Sequence, residues 1–425
     1  MEKKENKSSK TTYRTSTEAE EVNVKRDRKE KEKDEDEGSK SPRRRRRTMK
    51  TRFRNVLTKL KCSDDEEKEW IGNWSFCQLA DTQFGMHEKE GWKKEIEQAH
   101  SAVRCINALR PRPRFVIVCG DLVDAFPNGP KADIKKHEDQ QRDFRKVMSN
   151  ISEDIPLVCV CGNHDVGNRI TKDSIGRWHR SYGPDYAAYS IGGCRCIVLN
   201  SSLLAAKNPD LWTDMGEDAE TQRRDAVALA AKQDAWLDGE IEHVRKMRPT
   251  HTMVFSHIPP FIYRPDEPKG YFNLAPNIRN EVVGKLKSVG TTAWFCGHFH
   301  RNAGGKDEGL EVIVTRAAGC VLPYTRAALE TTSSGEKIAL GLNGLDFPKR
   351  RCGSDVSGFR LVSVTRERVA HRFFTMSELG CRIDGGDASA AALVGTAGES
   401  AHVPRRTENR NILGRKTNEG KCLVS

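Results

Sequence analysis

The sequence predicts an α/β domain with a substantial parallel sheet, flanked by two polar terminal segments. Short apolar runs of strand length recur along the middle of the chain, from Ser75 to about residue 367. Patterns with helical spacing separate the earlier runs, and strands that alternate with helices are typical of parallel sheets. The segments outside these runs are rich in Lys, Glu, Ser, Arg and Gly.

Eight apolar runs have the length and composition of β-strands. In chain order they are SFCQLAD (75–81), RFVIVCGD (114–121), PLVCVCGNHD (156–165), CRCIVLNSS (194–202), TMVFSHIPP (252–260), TAWFCGHFH (292–300), LEVIVTRAAG (310–319) and FRLVSVTRE (359–367). Helical patterns cover residues 90–110, 132–151 and 225–246. Residues 325–357 interrupt the late strands and are predicted to form an inserted loop.

Charge is distributed unevenly along the chain. Residues 1–69 contain 23 Lys/Arg against 17 Asp/Glu, residues 70–381 contain 42 against 38, and residues 382–425 contain 7 against 5. We therefore predict a folded domain over 70–381 and disordered tails over 1–69 and 382–425. The excess of basic residues therefore bears on what the tails bind and not on the chemistry of the domain.

One part of the N-terminal tail has a pattern of its own. Residues 41–61 contain ten Lys/Arg and no acid, and apolar residues recur at helical spacing. A basic amphipathic helix over 48–61 would suit an anionic membrane surface or a calmodulin-like groove. The arginine run alone also resembles a nuclear signal or a nucleic-acid patch, although we expect no specific nucleic-acid binding. A solvated charge run with no specific role is the plain alternative.

The cysteines and the last residues bear on location. None of the 13 cysteines forms a Cys-x-x-Cys pair, no apolar stretch resembles a secretory signal, and none reaches eighteen residues. A reduced, monomeric cytoplasmic or nuclear protein is expected. The sequence ends Cys422-Leu-Val-Ser425, which fits the pattern for farnesylation of Cys422 or stands there by coincidence. Prenylation together with the basic segment would make the protein peripheral to a membrane.

Polar side chains of ligand type follow five of the apolar runs. They are Asp81 and Gln83, Asp121 and Asp124, Asn163 and His164, His257, and His298 and His300. In open α/β sheets, sites form at the carboxyl ends of strands, so these residues are expected to converge. Carboxylate and amide oxygens with imidazole nitrogens suit two divalent ions that acidify a water and hold a phosphate.

The motifs DTQ, GDLVD, GNHD, FSH and GHFH, in that order, resemble the calcineurin-like metallophosphoesterase superfamily. The stretches YFNL (271–274), GHFHRNAGG (297–305) and SVTRERVAHRFFTMSEL (363–379) are similar to those of protein serine/threonine phosphatases within it. The resemblance covers about 66–381 apart from the insertion. It implies a four-layer α/β/β/α sandwich.

The resemblance also implies roles for individual residues. It implies that Asp81 and His300 bind one ion with Gln83, that Asp121 bridges, and that Asn163, His257 and His298 bind the second ion. It implies that His164 protonates or stabilises the leaving oxygen and that Asp124 orients His164. The alternative for His164 and Gln83 is that each forms a hydrogen bond to a metal ligand without contacting the metal or the substrate itself. The alternative for Asp124 is a surface position in a loop.

Two departures from the superfamily pattern affect the prediction. Gln83 stands where histidine is usual, and a neutral amide oxygen favours Mn²⁺ or Mg²⁺ over Zn²⁺, so we favour Mn²⁺, with Fe²⁺ also possible. Asp124 is followed by Ala125 and Phe126 rather than by the Arg-Gly of the classical protein phosphatases. Arg301 and Asn302 are candidates for binding the substrate phosphate, or else form a loop salt bridge.

The predicted function is therefore hydrolysis of phosphoserine and phosphothreonine monoesters on proteins by a hydroxide that two metal ions activate. Two alternatives remain at this point. One is a phosphodiesterase for a nucleotide or another small diester, because GNHD-type sites also cleave diesters. The other is a metal-binding scaffold without catalysis.

Overall fold

Two mixed β-sheets contain all eight of the predicted strands. In the computed structural model the described residues are 72–395, apart from 214–218, 323–328, 332–336 and 340–349, together with Phe53, Val56 and Leu60. The strands there are β1 (Trp74–Leu79), β2 (Val116–Cys119), β3 (Leu157–Val160), β4 (Ala187–Ile191), β5 (Cys194–Val198), β6 (His251–Phe255), β7 (Thr291–Cys296), β8 (Ala303–Asp307), β9 (Leu310–Val314), β10 (Leu329–Thr331), β11 (Lys337–Ala339), β12 (Gly358–Val364) and β13 (Val369–Thr375). One sheet has the order β13-β12-β1-β2-β3, the other β4-β5-β6-β7-β9-β8, and β10 pairs with β11 separately.

Helices cover the outer faces of the two sheets. They are α1 (Lys93–Ala108), α2 (Ile134–Met148), α3 (Asn163–Val166), α4 (Lys172–Tyr182), α5 (Ser201–Ala206), α6 (Ala219–Met247), α7 (Pro276–Lys287), α8 (Met376–Asp384) and α9 (Ala390–Val394), with a 3₁₀ helix at Pro209–Trp212. The three helices predicted from spacing correspond to α1, α2 and α6. Within the described residues, no helix combines the length and the apolar character that crossing a bilayer requires.

The packing confirms the predicted four layers. Phe76, Phe115, Phe255 and Phe295 are fully buried between the sheets, where the rings of Phe76 and Phe115 stack at 4.7 Å and those of Phe255 and Phe295 at 5.4 Å. A second core lies between the first sheet and α1, α2, α4 and α8, and a third between the second sheet and α6 and α7. Since strands such as β1 are buried on both faces, they appear in the sequence as continuous apolar runs.

Parallel pairing brings the ligand-bearing strand ends together. Strands β1, β2 and β3 run parallel in the first sheet, and β5, β6, β7 and β9 run parallel in the second. The main-chain N–H of Asp81 donates to the carbonyl of Gly120, 3.0 Å away, directly after β1 and β2. The carboxyl ends of both sheets therefore form one edge of the sandwich.

The folded domain extends beyond the boundary predicted at residue 381. Helix α8 spans that position, and α9 follows with Ala390, Leu393 and Val394 buried in the core on the first sheet. The prediction of a disordered tail from residue 382 is therefore wrong for residues 382–395. A short Ala/Leu/Val segment among Gly and Ser gave no clear signal, and its apolar side chains are stabilised only by this packing.

Three residues of the amphipathic stretch contact the domain. Phe53 and Val56 are helical, and together with Leu60 they are buried among core residues; the ring of Phe53 meets Tyr182 edge-on at 6.0 Å. These three side chains are thus covered within the chain, and the prediction of disorder over 1–69 does not hold at these positions. Binding to a membrane or a calmodulin-like partner stays a prediction, and it would require the release of these side chains. Cys422 and the rest of 41–61 lie outside the described residues.

Part of the predicted insertion is built into the domain. Arg351 and Val321 exchange main-chain hydrogen bonds of 3.1 and 2.7 Å. The hydroxyl of Ser357 donates to the carbonyl of Gly319. Residues 350–357 therefore return to the sandwich beside the end of β9 and lead into β12.

Candidate metal and phosphate site

The predicted ligand residues lie together at the common strand edge, on unusual backbone. Five of them adopt positive φ angles, a conformation that non-glycine residues adopt rarely and that concentrates at functional sites. They are Asp81 (50°), Gln83 (36°), Asp121 (48°), His298 (68°) and His300 (56°). Because the backbone turns sharply after each strand, the chain leaves the sheet there and these side chains lie over the strand ends.

Two glycines allow the ligand side chains to approach the neighbouring backbone. Gly120 has φ of 79°, and a Cβ at this position would clash with the imidazole of His257. A Cβ at Gly162 would clash with the carboxylate of Asp121. Both glycines thus make room for ligand-type side chains that a larger residue would displace.

One group of donor atoms surrounds His257. Its Nδ1 donates to the carbonyl of Cys119 at 2.9 Å, so its Nε2 faces Asn163 Oδ1 and Asp121 Oδ2, each 3.1 Å away. His298 donates from Nε2 to the carbonyl of Tyr271 and places Nδ1 3.1 Å from the same His257 atom. Four electron-pair donors thus converge, which is the arrangement that a cation requires.

A second group shares Asp121 and includes Asp81 and His300. His300 donates from Nδ1 to the carbonyl of Cys320, and its Nε2 lies 3.3 Å from Asp81 Oδ1. The ligand atoms of Asp81, Asp121 and His300 lie within 4.8 Å of one another, as do those of Asp121, His257 and His298. Asp121 is common to both groups, as expected of a carboxylate between two ions.

Gln83 lies beside the second group. Its side chain is buried, its Nε2 lies 3.5 Å from Asp124 Oδ1, and its Oε1 has no hydrogen-bond partner among the described residues. A buried amide oxygen without a partner is costly, and an ion in the second group would satisfy it. The residues present therefore fit two divalent ions, in agreement with the predicted ligand types.

Electrostatics in the site link the histidines to Asp121. Burial favours neutral Asp121, but the positive charges of His257 and His164 outweigh it and hold the pKa of this carboxyl well below its usual range. Burial also opposes charge on His257, yet Asp121 raises the pKa of His257 to about 9. Burial and the charge of His257 lower the pKa of His298 to about 3. The buried carboxylate of Asp121 thus stabilises positive charge beside it. A bound cation would supply this charge as well as a protonated histidine does.

His164 faces the cavity beside these groups. Its Nδ1 donates to the main-chain carbonyl of Asp124 at 2.6 Å, while the Asp124 carboxylate lies 3.9 Å away and pairs with Lys89 at 3.0 Å. The ring stacks on Phe126 with 4.1 Å between centroids, and Nε2 points toward Asp121, 3.9 Å distant. The hydrogen bond between Asp124 and His164 is thus made by the main-chain carbonyl of Asp124 and not by its carboxylate.

The structure does not bring Arg301 and Asn302 to the cavity. Arg301 is 3% exposed, donates to the carbonyl of Phe299 and lies over that ring at 4.6 Å. Asn302 accepts hydrogen bonds from the main chain of Arg316 and from Arg360. Neither residue lines the cavity, so the geometry gives no support to the prediction that they bind the substrate phosphate.

A cavity of about 720 Å³ opens over both groups. Several of its residues were not predicted from the sequence: Phe126, Asn128, Lys131, Asn168, Arg169, Lys269, Tyr271 and Arg350. Tyr271 begins the quoted motif YFNL, which offered a signal, and Asn168 lies three residues after the motif GNHD. Arg350 belongs to the predicted insertion, where no pattern indicated a functional residue.

Comparison with known proteins agrees with this geometry. A model of the calcineurin-like phosphoesterase family matches residues 75–302. The serine/threonine-protein phosphatase CPPED1 of Mus musculus is 34% identical over 329 residues, which cover 75% of this chain and 88% of that protein. The chain belongs to the calcineurin-like phosphoesterase family. CPPED1 of Homo sapiens is 32% identical over 326 residues, with 74% and 88% of the two chains covered.

Among solved structures, a dimetal phosphatase from Danio rerio has a TM-score of 0.45 and 17% identity, covering 71% of this chain and 96% of that one. The resemblance to the calcineurin-like phosphoesterases that the motifs indicated is confirmed, including the similarity to protein serine/threonine phosphatases among them. As a calcineurin-like phosphoesterase, the chain is a phosphoric ester hydrolase.

Proposed function

We propose that this chain is a binuclear metal-dependent phosphatase that removes phosphate from serine and threonine residues of proteins. The observation that carries the proposal is the sharing of Asp121 between two ligand groups beneath one open cavity. Bound there, two divalent ions would acidify a bridging water and neutralise phosphate charge. Asp81, Gln83 and His300 would hold one ion, Asn163, His257 and His298 the other, and Asp121 both.

His164 serves the leaving group in this proposal. With Nδ1 held as a donor by the Asp124 carbonyl, the other ring nitrogen carries the transferable proton. In the protonated ring, Nε2–H donates this proton to the serine or threonine oxygen as its bond to phosphorus breaks. The stacked Phe126 ring fixes the plane of the imidazole, so the proton is delivered from a defined position.

The choice of a protein substrate has two supports. The relatives at 32–34% identity carry the name serine/threonine-protein phosphatase. The cavity is wide and carries the cations Lys131, Arg169, Lys269 and Arg350, which suit an anionic, extended ligand. Mn²⁺ is the favoured ion because an amide oxygen stands at position 83.

The proposal is tested with a substrate panel. Full-length protein is assayed with phosphoserine and phosphothreonine peptides, p-nitrophenyl phosphate and bis-p-nitrophenyl phosphate in Mn²⁺, Mg²⁺, Fe²⁺ and Zn²⁺. We expect Mn²⁺-dependent release of phosphate from peptides at a higher kcat/KM than from the diester. Faster diester cleavage would instead support a phosphodiesterase, and full metal occupancy without turnover would support a scaffold.

A further inference from the structure

The side-chain amide of Asn163 suits a metal ion in only one of its two orientations. Its Oδ1 offers electron pairs to a cation, whereas its Nδ2 carries hydrogens and would repel one. In the structure Oδ1 faces Nε2 of His257 at 3.1 Å, and the same nitrogen lies 3.1 Å from Oδ2 of Asp121. The group that accepts a hydrogen bond from Nδ2 therefore decides whether Asn163 fits the ligand group around His257.

Asn168 accepts that hydrogen bond. Nδ2 of Asn163 donates to Oδ1 of Asn168 over a distance of 2.8 Å. The Tyr271 phenol indicates the same orientation. Burial and the charge of Asp121 raise the pKa of this phenol, and a hydrogen bond with the Asn163 side chain opposes the rise. Because such a bond favours the phenolate only where Asn163 donates, Nδ2 is again the donor.

The turn that carries Asn168 is held by the side chain of Asn128. Nδ2 of Asn128 donates to the carbonyls of Val166 and Arg169, at 3.4 and 2.9 Å. Between these residues Gly167 has φ of 91°, and a Cβ at this position would clash with the Asn128 amide. Asn128 thus contacts the main chain on both sides of Asn168.

The fold makes little other use of the Asn168 side chain. Asn168 is exposed at the cavity wall, and among the residues that the structure describes its side chain hydrogen-bonds only to Asn163. Replacing an exposed side chain of this kind usually changes the free energy of unfolding little. The role of residue 168 therefore lies in its contact with Asn163.

We propose that Asn168 is a positioning residue that holds the amide oxygen of Asn163 toward the ion of the His257 group. This inference rests on the binuclear site of the proposed function. Asn168 acts through Asn163 and does not contact the ion itself. Hydrogen-bond partners of metal ligands strengthen binding because they keep the ligand atom in place. Since Asn163 belongs to one of the two ligand groups, Asn168 should affect one ion of the two.

Replacing the acceptor at position 168 tests the proposal. The Mn²⁺-loaded, full-length protein is titrated with a chelator, and the loss of each ion is followed by metal analysis. We expect Asn168→Leu, which keeps the size of the side chain, to weaken one ion by about 10- to 100-fold and to leave the other nearly unchanged. Asn168→Asp keeps an acceptor there, so both ions should be held at least as tightly as in the wild type.

Asn208 provides a matched control in the same cavity wall. Its side chain accepts a hydrogen bond from the main chain of Asp210 at 3.3 Å and makes no contact with either ligand group among the described residues. We expect Asn208→Ala to bind both ions like the wild type. If Asn168→Leu also binds both ions like the wild type, or if Asn168→Asp loses as much affinity as Asn168→Leu, the proposal is overturned.

A double mutant separates positioning from a general effect on the fold. If Asn168 acts only through Asn163, Asn168→Leu should weaken the ion no further once Asn163→Ala has removed the ligand. A further loss in the double mutant would contradict the proposal. Should Asn168→Leu fail to fold, Asn168→Ala removes the same acceptor. If the wild type binds two ions but hydrolyses no ester, the phosphatase proposal fails, while the chelator titration still decides on Asn168.

Discussion

At the scale of single residues, His164 and Asp124 have separable roles. We expect His164→Ala to lower kcat by about 100- to 10,000-fold, because it removes the donor to the leaving oxygen. Asp124→Asn should cost less than about tenfold, since the orienting carbonyl remains and the lost ion pair with Lys89 is worth at most about 1 kcal/mol. Steady-state kinetics with a phosphopeptide, together with metal analysis, check both. Comparable losses in the two variants, with metal retained, would mean that the carboxylate does the orienting.

Gln83 lies beside the ligand group that contains His300. In the proposed site its unpartnered Oε1 would be a neutral ligand, so an ion there would rely on Asp81, Asp121 and His300 for most of its binding free energy. We expect Gln83→His to tighten metal binding by about tenfold and to shift preference from Mn²⁺ toward Zn²⁺. Competition with a chelator, followed by metal analysis, measures both. If affinity and preference stay the same, Gln83 does not contact the ion.

The predictability of the site also differs from residue to residue. Asp81, Asp121 and His300 could be predicted because each directly follows an apolar strand, and local sequence carries that signal. Arg301 follows the same strand end, but its side chain lies over the ring of Phe299 instead of lining the cavity, and local sequence carries no signal for that choice. Arg350 could not be predicted, since it reaches the cavity through the main-chain pairing of Arg351 with Val321, thirty residues apart.

At the scale of elements, the strands that the sequence missed in the two large sheets have a common position. β4, β8 and β13 are edge strands, whereas the runs predicted as strands lie mainly inside the sheets. An edge strand is paired on one side only and tolerates polar residues and glycine, as in AGGKD of β8. Continuous apolar character therefore revealed the interior strands and one edge strand, β3, but not the other three edge strands.

The connection from β6 to α7 is the element that supports one wall of the cavity. The buried carboxylate of Glu267 accepts main-chain hydrogen bonds from Ile262, Tyr263 and Arg264, and a side-chain hydrogen bond from Asn273. These hydrogen bonds hold together the loop that carries Tyr271, whose ring lies 5.1 Å from that of His298. The carboxylate of Glu267 thus satisfies three main-chain N–H groups within the loop itself.

We therefore expect Glu267→Ala to destabilise the protein by about 3 kcal/mol or more, because it leaves several buried donors without acceptors. Glu281→Ala in α7 is a matched control; that carboxylate is 45% exposed and pairs with Lys207, so its loss should cost no more than about 1 kcal/mol. Urea unfolding of both variants gives the comparison. Equal free energies of unfolding would argue that the loop contributes nothing beyond a surface ion pair.

At the scale of the whole molecule, composition located the domain but misplaced its margins. Six apolar residues are buried although the segments around them are polar or Gly-rich in overall composition: Ala390, Leu393, Val394, Phe53, Val56 and Leu60. Short segments of this kind are ordered by tertiary packing rather than by their own propensity. A rule based on average composition cannot detect them, because it weighs all residues of the segment equally.

The contact made by Phe53 allows a test of whether the basic segment belongs to the domain. We expect Phe53→Ala to lower the free energy of unfolding by about 2 kcal/mol, somewhat less than a central core position, because release of the segment limits the loss. Ile134→Ala, at a position 42% exposed, should change it by no more than about 0.5 kcal/mol. Limited trypsin digestion provides a second measurement, since residues 43–61 are rich in Lys and Arg and should be cleaved faster when Phe53 no longer holds them. If both variants unfold and are cleaved like the wild type, the segment is not held by the domain in solution, and its apolar face is free for a membrane or a calmodulin-like partner.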